Sequence, residues 1–124
     1  MQIAQKNFYK KFLGRAGENR AVNYLKENGY KIADKNFKTR IGEIDIIAER
    51  DGVIAFIEVK TRSSNAFGEP SEAVNYVKQS KYVKVASEYL VRKGLTDMPC
   101  RFDVIEIIDG KINSKGYLKR IITK

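Results

Sequence analysis

The sequence contains no histidine. That absence removes Ser-His-Asp hydrolases, Cys-His proteases, His-ligated zinc sites and His-metal-finger nucleases together, since each needs an imidazole as base or ligand. Any acid–base or metal chemistry therefore falls to carboxylates and lysines. The single cysteine, Cys100, excludes an internal disulfide and suits a reducing cytoplasm. Between Pro99 and Arg101 it reads as structural. No apolar run approaches ~18 residues, and the basic start from Met1 to Lys11 lacks a hydrophobic signal core. No membrane association is expected, and the chain is placed in the cytoplasm. Acidic residues are in deficit, with 15 Asp and Glu against 24 Lys and Arg, a formal charge of +9. Such a balance attracts polyanions, nucleic acid first among them, but it suits an enzyme and a passive binder equally. A length of 124 residues implies one domain around a single core.

What is present is organised around Gly42 to Arg62, GEIDIIAERDGVIAFIEVKTR. Two apolar or alternating runs, Glu43–Glu49 and Val53–Thr61, flank Arg50-Asp51-Gly52. An Asp-Gly pair in that position signals a tight β-hairpin, because such turns demand positive φ. With Asp51 and Gly52 as the loop, Arg50 pairs with Val53, Ala48 with Ala55, Asp45 with Glu58 and Glu43 with Lys60. Opposed residues share a face with Cβ atoms roughly 5 Å apart. Three carboxylates and one ammonium then meet at the open end of the hairpin, on the face that begins as core at Ile54 and Phe56. Opposed carboxylates repel. Either a divalent cation relieves them, since Mg²⁺ takes one or two carboxylates plus water and phosphate oxygens, or Lys60 neutralises them as a rim ion pair.

The rest of the chain supplies a frame. Residues 1–12 form a basic arm or helix extension, and residues 13–124 a single α/β domain. Leu13 to Asn28 reads as a helix closed by Gly29. Glu18 lies on the face of Ala21, Val22 and Leu25, pointing at a polar pocket or simply complementing the first turn of its helix. Tyr30 to Thr39 predicts a first strand. Ser63 to Pro70 is a loop by composition, and a long helix runs from Pro70 to Arg92, with Gly94 as its stop. Its buried stripe is Val74, Val77, Val85, Tyr89 and Leu90, flanked by Lys78, Lys81 and Lys84. Arg101 to Ile108 predicts a strand covered on both sides and free of any chemical signature. A final strand lies near Tyr117–Ile122. The order suggests a mixed central sheet flanked by helices.

Asp45 followed by Glu58-Val59-Lys60 resembles the PD-(D/E)xK nuclease signature, with Ile44 where that signature has Pro. The wider ordered set is more particular: Gly14-Arg15-Ala16-Gly17-Glu18, Gly42-Glu43-Ile44-Asp45, Phe56 to Arg62, Phe67-Gly68, then Ala73-Val74 and Lys78-Gln79. It resembles the YraN-like family of small bacterial proteins, assigned to the same nuclease fold. The resemblance implies a restriction-endonuclease-like α/β fold and Mg²⁺- or Mn²⁺-dependent hydrolysis of phosphodiester bonds, in DNA above all. It makes Asp45 and Glu58 the metal ligands, with the Val59 carbonyl as a third. Lys60 becomes the residue that orients water or stabilises developing charge. Glu18 becomes a water-mediated ligand or part of a second metal site, and Glu43, Lys78 and Gln79 supporting residues. Arg15, Arg62, Lys78 and Lys81 are the candidates for phosphate contact. A homodimer follows by analogy with resolvases. The alternative is a nucleic-acid-binding protein that keeps the nuclease fold without turnover.

Overall fold

The structure, a computed structural model, describes residues 2–62, 76–108 and 111–119, with side chains described over 14–61, 80–108 and 111–112. The elements run α1 (Gln2–Glu27), β1 (Lys31–Lys38), β2 (Glu43–Arg50), β3 (Val53–Arg62), α2 (Tyr76–Lys93), β4 (Cys100–Ile108) and β5 (Lys111–Lys119). The strands form one sheet in the order β1-β2-β3-β4-β5. Neighbours are antiparallel except β3 and β4, which are parallel. A parallel pair needs a long crossover, and the segment from β3 to β4, which contains α2, supplies it. The result is a mixed five-stranded α/β fold, consistent with the restriction-endonuclease-like architecture.

The hairpin forms where the sequence places it. Asp51 and Gly52 both adopt positive φ, 54° and 77°, as a two-residue turn between right-twisted strands requires. Gly52 does so without steric cost, and Asp51 belongs to the few side chains that tolerate it. Arg50 pairs with Val53 and Ala48 with Ala55. Both helices close in the same way, with Tyr30 N–H donating to the Leu25 carbonyl at 2.9 Å and Leu95 N–H to the Leu90 carbonyl at 2.8 Å.

Each face of the sheet carries one helix. Ala21, Val22 and Leu25 of α1 pack on Ile46, Ala48, Ala55, Ile57, Ile105 and Ile107. Val85, Ala86, Tyr89 and Leu90 of α2 pack on Ile44, Ile47, Ile54, Phe56, Cys100 and Phe102. Aromatic contacts tie the second layer together, with Phe56 stacked on Phe102 at 5.3 Å and edge-on to Tyr89 at 6.0 Å. Even-numbered residues of β3 and β4 thus face α2 and odd-numbered ones face α1. This two-sided burial explains why β4 is apolar on both faces.

The last strand differs from expectation. It starts at Lys111, directly after β4, because Ile108 pairs with Lys111 and Phe102 with Lys119 in an antiparallel hairpin. The expected loop at 63–70, including Phe67, and the expected helix start at Pro70 lie outside the described residues. Among the described residues no helix is long and apolar enough to cross a membrane.

Candidate functional site

Asp45 sits where the regularity of β2 breaks. Strict alternation would place Ile44 and Ile46 on one face, yet Ile44 packs in the α2 layer and Ile46 in the α1 layer. The registered ladder with β3 runs out to Ile46–Ile57. Beyond it a side chain takes over, and the Asp45 carboxylate accepts the Val59 N–H at 2.8 Å. The sequence count of direct Asp45–Glu58 and Glu43–Lys60 pairs is corrected accordingly. Asp45 still reaches β3, but through its carboxylate on the Val59 amide, beside Glu58.

Glu58 and Lys60 continue the α2 face outward from Ile54 and Phe56. Glu58 is 9% exposed, and the Lys60 ammonium lies 2.8 Å from its Oε1. Tyr82, from α2, donates its hydroxyl to Glu58. Burial, chiefly, and then this bond to a carboxylate push the Tyr82 phenol well above its usual pKa, so it remains a neutral donor. Glu43 is paired at 3.5 Å with Lys38 of β1, in place of the expected Lys60. The reason is local: Lys38 is the direct antiparallel partner of Glu43.

Glu18 enters from α1. Gly17 makes this possible, since a Cβ there would collide with the Thr61 hydroxyl of β3. A side chain at this position would have to displace that hydroxyl or the helix. Burial raises the Glu18 carboxyl above the ordinary range, and Glu43 adds repulsion, against a hydrogen bond from Asn36 and the charges of Lys35 and Arg15. Asn36 itself holds a left-handed φ of 53° within β1. Gly17→Ala is expected to push α1 away from β3, lowering the melting temperature by several degrees and weakening any function that needs Glu18 near Asp45. Thermal melts with Mn²⁺ titration check this, and an unchanged variant would show that the close approach is unimportant.

Asp45 carries the clearest electrostatic signature. Burial raises its carboxyl to about 6 despite the Val59 hydrogen bond, and Glu18, Glu58 and Glu43 add repulsion in that order. A pKa raised in the folded state stabilises the fold at low pH, and that contribution is lost as pH rises through about 6. A shift of this size corresponds to at most about 3 kcal/mol, and partial solvent exposure reduces the expected effect to about 1–2 kcal/mol. Asp45→Asn, which can still accept the Val59 N–H, should therefore melt roughly 4–8 °C above the parent at pH 8 in chelator. The gain should vanish below about pH 4, where the parent carboxyl is protonated in folded and unfolded states alike.

These donors suit a hard divalent cation. Among the described residues no three or more carboxylate, thiol or imidazole groups converge into a complete cage. Mg²⁺ does not require one, because it retains water and takes substrate oxygens alongside one or two carboxylates. Asp45 and Glu58 provide that number, and the mutual repulsion that raises Asp45 is what a cation would relieve. Of the other sequence candidates, Arg15 and Lys81 are solvent-exposed, whereas the side chains of Arg62, Lys78 and Gln79 lie outside the described ones. Three residues join the site that the sequence did not single out. Tyr82 resembles any helix aromatic and Asn36 any strand polar residue. Glu106 is 1% exposed and in register with Lys60 across the parallel pair.

Comparison with known proteins supplies the family. The model of "Uncharacterised protein family UPF0102" matches residues 17–107, a span holding Glu18, Asp45, Glu58, Lys60 and Glu106. A UPF0102 protein of Alkaliphilus oremlandii is 57% identical over 99 residues, covering 78% of this chain and 85% of that one. One from Clostridium tetani is 50% identical over 116 residues, covering 94% of each. A third, from Alkaliphilus metalliredigens, is 48% identical over 108 residues, 87% of this chain and 95% of its own. The chain belongs to the uncharacterised protein family UPF0102, the YraN-like group that its ordered motifs resemble.

Proposed function

We propose that this protein is a metal-dependent nuclease that hydrolyses phosphodiester bonds in DNA, branched or single-stranded forms included. The observation that carries the reading is the meeting of Asp45, fixed on the Val59 amide, with the Glu58–Lys60 pair at the end of the β2–β3 hairpin. Asp45 and Glu58 would hold Mg²⁺ or Mn²⁺, with the Val59 carbonyl as a further ligand by family resemblance. When bound, the ion would polarise the scissile phosphate and lower the pKa of a coordinated water. Lys60 would orient the attacking water or neutralise charge as it develops on phosphorus. Tyr82 holds Glu58 from the α2 side. Glu18 and Glu43 add negative field at Asp45, and Glu18 would serve an ion through water or at a second metal site. The positive charge of the chain, +9, draws the polyanion in, with Arg15, Arg62, Lys78 and Lys81 as phosphate contacts and Gln79 as a supporting residue.

The buried free thiol of Cys100 accords with a cytoplasmic setting. A homodimer would present two such sites to a symmetric junction.

The second reading is a nucleic-acid binder without turnover, which the net charge of +9 suits equally well. One experiment separates the two: branched, duplex and single-stranded DNA and RNA incubated with Mn²⁺, wild type beside Asp45→Asn. Cleavage by the wild type alone supports the nuclease. Salt-sensitive binding with no cleavage by either protein supports the binder.

A further inference from the structure

Among the described residues Glu106 is the most deeply buried charged side chain, at 1% exposure. Carboxylates are almost never buried so fully unless they are paired. Its place in the sheet points to its purpose. β3 and β4 run parallel in unbroken register from Ile54–Cys100 to Arg62–Ile108, and Lys60 falls beside Glu106. Residues in register on parallel strands share a face, as the stacking of Phe56 on Phe102 in the same register shows. Four residues further along each strand, the same α2-facing column brings Lys60 next to Glu106. Lys60 therefore has Glu58 at 2.8 Å on its own strand and Glu106 in register on the neighbouring one.

Resting on the nuclease reading above, we propose that Glu106 is a positioning residue for Lys60, holding the ammonium in the site when Glu58 turns its carboxylate to the divalent ion. The need for it is electrostatic. Glu58 is engaged by both Lys60 and Tyr82. A Glu58 that coordinates an ion gives up charge to it, and the ion then repels the nearby ammonium. Without a second anion, Lys60 would swing out to solvent on its flexible stem. Glu106 supplies that anion from a strand too well registered to move away. The chain thereby passes one ammonium between two carboxylates as the ion binds.

The test follows the Lys60 ammonium by ¹⁵N NMR during Mg²⁺ titration, together with the backbone amides of Asp45 and Val59. In wild type the Lys60 signal should persist with and without Mg²⁺. In Glu106→Gln it should be present without Mg²⁺ and be lost to fast exchange at saturation. Cleavage assays should show kcat lowered about 10–100-fold in Glu106→Gln with KM unchanged, and partly restored in Glu106→Asp. An identical Lys60 signal in both proteins at saturating Mg²⁺ overturns the proposal. A double-mutant cycle on melting temperature guards against misfolding. Lys60→Met removes the cation in register with Glu106, so the combined Lys60→Met/Glu106→Gln protein should lose less than the sum of the two single losses. Additive losses with intact Mg²⁺ shifts at Asp45 and Val59 reject Glu106 alone. Coupled losses with no Mg²⁺ shifts support the Lys60–Glu106 pairing and reject the nuclease reading instead.

Discussion

Lys60→Ala is expected to reduce Mn²⁺-dependent cleavage by at least about 10²–10³-fold, the usual cost of removing a group that stabilises transition-state charge. Affinity for DNA should stay within a few-fold, because one ammonium among 24 basic residues is a small part of the polyanion attraction. Mn²⁺ binding should hold or tighten, since Lys60 competes with the ion for the Glu58 carboxylate at 2.8 Å. In the metal-free state the variant should melt below the parent, because Glu58 at 9% exposure would keep only the Tyr82 hydroxyl of those two partners. Four readouts thus move in different directions, a pattern that general misfolding does not produce. Wild-type rates in a folded Lys60→Ala protein would remove Lys60 from the chemistry.

The second large effect concerns the scaffold. Phe56 is 1% exposed, stacked on Phe102 and edge-on to Tyr89, and so links β3, β4 and α2. Phe56→Ala is expected to cost about 3–5 kcal/mol through lost transfer energy and the cavity left behind. Small domains have only about 5–15 kcal/mol in total. Urea unfolding should show the midpoint falling by a third or more with an unchanged slope. The consequence reaches the site, since Glu58 is the next residue outward on the same face and its Tyr82 partner rides on α2. A loss below about 1 kcal/mol would mean that the α2 layer repacks easily around the gap, and that the rigidity ascribed to it is absent.

Much of the hairpin could be read from the residues themselves. Asp51-Gly52 demanded a two-residue turn, and counting from it gave the pairs as far as Ile46–Ile57. The count failed at Asp45 for a physical reason. Ile44-Asp45-Ile46 reads as perfect alternation, but Asp45 captures the Val59 N–H with its side chain, and the strand changes faces there. No local pattern reveals that exchange. The helical face of Glu18 was legible from Ala21, Val22 and Leu25, which are buried as their spacing requires, whereas its site role came from the family resemblance. Glu106 was not legible. Its strand is apolar on both faces, and its neighbour Lys60 is distant in the chain and brought alongside by parallel pairing, which leaves no short-range signal. β5 was expected near Tyr117–Ile122, whereas its pairing with β4 begins at Lys111 opposite Ile108.

The central claim is that Asp45 and Glu58 together form a seat for a divalent ion. Isothermal titration of Mn²⁺ into wild type and Asp45→Asn at pH 8 measures it without reference to any substrate. The expected result is a saturable site in the wild type that weakens as pH falls through about 6 and is lost in Asp45→Asn, even though that variant melts higher. Equal Mn²⁺ binding by both proteins, or none by either, would contradict the claim.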